Sequence, residues 1–80
     1  MKATIKFRPL EWETLALLHS VNNAENGDPV ATFSRLLSAA LISAAILGIT
    51  REQMMQQCEA CIELAIKAVA ERTDIFGGMT

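Results

Sequence analysis

Residues 29–49, PVATFSRLLSAALISAAILGI, decide the fold. Arg35 is the only charged side chain in this stretch, and apolar or small residues fall on every side of the helix it specifies. A helix on a protein surface carries one apolar stripe and one polar face, whereas a helix that is apolar all round has to be covered. A chain of 80 residues has little material of its own for that purpose. A small lone chain buries only about 60% of its unfolded surface, so a second copy or a bilayer is the natural cover.

A bilayer span takes about 20 apolar residues. Here Thr32, Ser34 and Arg35 occupy the first third, which leaves 36–49 as the uninterrupted run. Neither a basic cluster nor a belt of Trp and Tyr flanks it. Small residues at Ala39, Ala40, Ser43, Ala44 and Ala45 allow another helix to approach closely. The pattern favours a core helix shared between subunits of a soluble protein over a membrane helix.

Working outward, Gly48 closes this helix and Thr50, followed three residues later by Gln53, forms a capping box for the next. That third helix runs to about Arg72. Met54, Cys58, Cys61, Ile62, Ala65 and Val69 share its apolar face, with Glu52, Gln56, Glu59, Glu63 and Lys67 opposite. Residues 74–80 are expected to be a flexible tail unless Ile75 and Phe76 dock. Upstream, NNAENGD (22–28) is rich in turn formers. Asp28 before Pro29 is one plausible cap for the apolar helix, and Thr32 and Ser34 are rivals that the sequence leaves open.

The first helix is expected from Pro9 to about Val21. Leu10, Thr14, Leu17, Leu18 and Val21 share one face, with Trp12 and Leu15 on its flanks. Before it, KATIKFR (2–8) alternates polar and apolar residues, the pattern of a half-buried strand. No later segment reads as a strand, so its expected partner is the same strand of a second subunit. Fold class is therefore mainly α: a short N-terminal strand followed by three helices, in one domain spanning 1–73.

The net charge of −2 hides an asymmetry. Lys2, Lys6 and Arg8 lie in the first eight residues, and the other 72 hold four basic and nine acidic side chains, a balance of −5. A local basic patch, more than the total, favours phosphate contact. The opening MKATIKFRP has no apolar core of a secretory signal, and two cysteines make no disulfide framework, so the cytoplasm is the default. Cys58 and Cys61 form a C-x-x-C in mid-helix on an apolar face, where they read as small hydrophobes and not as metal or redox ligands. No nucleophile with a base and an orienting acid is evident, and no phosphate loop. Neither an enzyme, a metal nor a cofactor is expected.

Taken together, TIKFRPLEWETL (4–15), Gly27 in the loop and SRLLSAAL (34–41) resemble the ribbon-helix-helix family of DNA-binding proteins, of the Arc and MetJ kind, over roughly residues 2–48. The resemblance implies an intertwined homodimer whose paired strands enter the major groove of double-stranded DNA. It implies that Lys2, Thr4, Lys6 and Arg8 face the DNA, and that Thr32, Ser34 and Arg35 hold phosphate at the start of the second helix. Ile5, Phe7, Leu36, Leu37, Leu41 and Ile42 would form the dimer core. The function so implied is a transcriptional regulator of repressor or antitoxin type. The extra third helix and the acidic remainder motivate an alternative, a small phage- or plasmid-type accessory protein that binds and inhibits a protein partner through residues 50–73. A small membrane-associated protein is the second alternative.

Overall fold

The computed structural model of the chain describes residues 4–77. Helix α1 runs Trp12–Ala24, α2 Pro29–Leu47, α3 Arg51–Glu71, and a single turn, α4, covers Thr73–Phe76. Mainly α is what the sequence led one to expect. The N-terminal strand and its ribbon are not: residues 4–8 form neither strand nor sheet among the described residues, and Lys2 lies outside them. A strand needs a second extended segment to hydrogen-bond with. Every other long segment here is helical, and the Ile5 N–H is given instead to the side-chain oxygen of Gln57 on α3.

Local chemistry sets the helix ends. The Asp28 carboxylate accepts from the backbone N–H groups of Val30 (3.0 Å) and Ala31 (3.2 Å), and Pro29 takes the first helical position of α2. Of the three candidate caps Asp28 is therefore the one used. Gly48 ends α2 with φ 76°, in the left-handed region that glycine enters without a Cβ clash. Thr50 and Gln53 close the capping box of α3 in both directions, at 3.2 and 3.1 Å.

Helix α1 starts and ends three residues later than the sequence led one to expect. Pro9 and Leu10 sit in a turn ahead of it, where Arg8 reaches Glu11 at 3.5 Å. At its other end Asn22 stays helical and accepts from the Thr32 hydroxyl at 3.2 Å. The connection to α2 therefore shrinks to residues 25–28, with Asn26 (φ 56°) and Gly27 (φ 76°) turning the chain. The inward face of α1 is also rotated from the expected one. Leu15, Leu18, Val21 and Asn22 are half-buried, whereas Leu10, Thr14 and Leu17 are exposed.

Thr32 fastens α2 to α1. It is 4% exposed, and its one hydroxyl proton is shared between Asn22 and the nearer Asp28 carbonyl at 2.7 Å. Arg35 adds an ion pair to Glu25 at 2.9 Å. Phe76 of α4 is buried, lining a cleft with Leu18, Thr32, Phe33, Leu36 and Val69. The end of the chain is thus docked as far as Gly77.

Apart from Thr32, only Ala44 and Phe76 are buried among the described residues. The chain exposes 6197 Å², against about 4,700 Å² for a compact monomer of its 8.7 kDa mass. Its radius of gyration is 13.4 Å, where about 11.6 Å fits 80 residues packed as one domain. The helices meet at their ends more than along their lengths.

Candidate interaction surface

Helix α2 carries the largest share of the exposed large apolar side chains, and α3 the next. Val30, Phe33, Leu37, Leu41, Ile42, Ile46 and Leu47 are all exposed, Ile46 to 80%. At 100° per residue, Val30, Phe33, Leu37 and Leu41 follow one stripe, while Ile42 and Ile46 lie on another side. This is the all-round apolar helix of the sequence with neither side covered. By length and composition α2 is able to cross a membrane, with mean hydropathy 1.8 over the qualifying window and 11% of that window buried.

The residues assigned to the dimer core separate into two groups. Ile5, Phe7 and Leu36 are half-buried against their own chain. Leu37, Leu41 and Ile42 point outward and are available to a partner. Val30 and Phe33 join them. Phe33 lies one turn before Leu37 on the same stripe.

The residues assigned to DNA separate as well. Thr4, Lys6 and Arg8 are exposed and alternate with half-buried Ile5 and Phe7, so the sidedness of the segment survives without a strand. The start of α2 is less open to phosphate. Asp28 occupies the Val30 and Ala31 N–H groups with a negative charge of its own. The Thr32 hydroxyl is turned inward, that of Ser34 donates to the Val30 carbonyl at 2.9 Å, and Arg35 is held by Glu25. A helix N-terminus attracts anions through open N–H groups and its dipole. Asp28 already serves both.

On α3, Met54, Cys58, Cys61 and Ala65 are half-buried, but Ile62 and Val69, expected on the same face, are exposed together with Met55, Leu64 and Ile66. Both cysteines are free thiols. Among the described residues no group of three His, Cys, Asp or Glu side chains converges as a metal would require. At the chain end, Arg72 donates from Nε (3.0 Å) and Nη2 (2.9 Å) to the Asp74 carboxylate. Those hydrogen bonds lower the Asp74 pKa from its ordinary value and raise that of Arg72.

Compared with protein-family models, with curated proteins and with solved structures, the chain matches none.

Proposed function

We propose that this protein is a non-catalytic homodimeric regulator that acts by binding a protein partner, with the exposed stripe of α2 as the subunit interface. The observation that carries the reading is the surplus surface: 6197 Å², about 1,500 Å² more than a compact chain of this mass exposes. Part of that surplus lies on the α2 stripe, where a second copy of the chain would cover it. The apolar stripe repeats at helical spacing and contains no charge, which suits a self-complementary contact about a two-fold axis. The Thr32–Asn22 hydrogen bond and the Arg35–Glu25 pair tie the first third of α2 to the end of α1, an arrangement that fits a soluble core helix better than a membrane span.

Sedimentation equilibrium over a wide concentration range, without detergent, tests the reading. A dimer mass at all but the lowest concentrations is the expected result. A stable, soluble monomer removes it, and recovery of the protein only in detergent would favour a bilayer as the cover.

A second reading, DNA recognition, is supported by one feature: Thr4, Lys6 and Arg8 share the outer side of the N-terminal segment. A dimer doubles that charge, and phosphate contacts respond steeply to salt. Salt-dependent anisotropy on a labelled duplex, beside a Lys6→Ala/Arg8→Ala variant, decides it. Binding that falls with salt and drops in the variant establishes a nucleic-acid face. No binding at low salt leaves Lys6 and Arg8 as a solvated surface without a nucleic-acid role.

A further inference from the structure

We infer that the outer face of α3 is a docking site for a basic amphipathic helix of a partner protein, an inference that rests on reading the chain as a binding protein and names the partner's chemistry. Met55 and Ile62 are seven residues apart, and Ile66 lies one turn beyond Ile62. All three are exposed, so they draw an apolar seam along about three turns of α3. The seam lies beside the half-buried row of Met54, Cys58, Cys61 and Ala65.

Charge selects the occupant. Glu52, Glu59 and Glu63 each lie one turn before a member of the seam (Met55, Ile62 and Ile66) and border it along one edge. None of the three carboxylates is in an ion pair among the described residues; the pairs on this part of the chain are Lys67–Glu71 and Arg72–Asp74. Glu59 and Glu63 stand at i, i+4, where like charges weaken a helix. A cationic neighbour relieves that repulsion. Between Glu52, Met55, Gln56 and Glu59 lies a shallow depression of about 260 Å³. Its methionine wall and two carboxylates suit a lysine or arginine, whose aliphatic stem packs on apolar surface while the charged head reaches the acids. Methionine also adapts its shape to different partners. A second copy of α3 would bring its own glutamates to this edge, and an anionic bilayer would be repelled by it. An amphipathic helix laid along an apolar face, read at i, i+3, i+4 and i+7, is a common mode of peptide recognition.

The test uses the full-length protein and two fluorescent peptides of about four helical turns. Both carry leucines at seam spacing; one is flanked by lysines and the other by glutamates at the same positions. The lysine peptide is expected to bind saturably and the glutamate peptide not to. In Glu59→Lys/Glu63→Lys, the lysine peptide should weaken about tenfold, two exposed pairs at roughly half a decade each, and the glutamate peptide should gain. Circular dichroism and sedimentation on the same samples report fold and dimer mass. Equal binding of the two peptides, or binding of neither while the dimer persists, overturns the docking site and leaves the dimer reading standing. A monomer that still discriminates between the peptides overturns the dimer reading and leaves the docking site.

Discussion

Replacing Leu37 by glutamate is the sharpest probe of the α2 interface. Leu37 sits mid-stripe, between Phe33 and Leu41, and remains 43% exposed in the chain. Fully burying a leucine is worth about 1.5–3 kcal/mol, so covering the remaining fraction contributes about 0.6–1.3 kcal/mol per subunit. A two-fold interface uses the residue twice, which brings the loss to about 1.3–2.6 kcal/mol, or roughly 10- to 80-fold in the dimerisation constant. Glutamate adds the cost of an unpaired carboxylate against an apolar surface, so this range is a lower bound. More than half of Leu37 is already covered within its own chain, so circular dichroism on the same samples checks that helical content persists. The assay is sedimentation equilibrium at several loading concentrations, with Lys67→Ala as a control on an exposed residue away from the stripe. A Leu37→Glu protein with the same dimer constant as the wild type would refute the interface, whatever the wild-type mass.

Other substitutions test the joints that hold α2 in place. Thr32→Val keeps the shape but removes a hydroxyl that bonds both Asp28 and Asn22. It should lose about 0.5–1.5 kcal/mol per subunit, or several degrees of melting temperature at fixed concentration; an unchanged urea midpoint would show that the α1–α2 joint does not depend on it. Thr50→Ala opens the capping box of α3 and should cost about 1 kcal/mol in urea denaturation, with loss of amide protection confined to the first turn; protection lost elsewhere would contradict a local cap. The Asp74 carboxyl should titrate below the ordinary aspartate value because Arg72 hydrogen-bonds to it. A lowered folded-state pKa means the pair contributes above the ordinary value, and the contribution is lost as pH falls through the lowered one. An NMR titration midpoint at or above about 3.9 would show that the pair does not hold α4.

The parts of the fold legible in the sequence are those governed by nearest neighbours. Gly48 closing α2 and Thr50 with Gln53 opening α3 are each decided within one turn of chain, and the structure uses both; Asp28 before Pro29 is one of three caps the sequence allows, and the structure selects it. Where a side chain's role depends on a distant segment, the reading drifted. Asn22 looks like a turn former, but the Thr32 hydroxyl ten residues on keeps it helical and lengthens α1. Ile62 looks like core by periodicity but is exposed, whereas Val69, although also exposed, lines the cleft with Leu18, Leu36 and Phe76. The N-terminal segment has the alternation of a strand, and its sidedness is kept. Alternation specifies only which side is apolar, however, and a hydrogen-bonding partner has to come from somewhere else in the structure.

The same distinction explains why α2 was the most informative stretch. Its composition says that every side must be covered, and that holds whatever the neighbours are. In the chain its N-terminal third meets α1 through Thr32, while Leu37, Leu41, Ile42 and Ile46 farther along meet water. A helix of that composition left uncovered is at odds with the rest of its sequence, since capping, termination and turn chemistry all agree on one well-formed helix. Natural sequences are consistent across such levels, and an apparent conflict between good local structure and poor burial marks a place where another molecule belongs. The charged seam of α3 presents the same conflict with a different remedy. There acidic residues border the apolar row, which argues against a second copy and for a cationic partner.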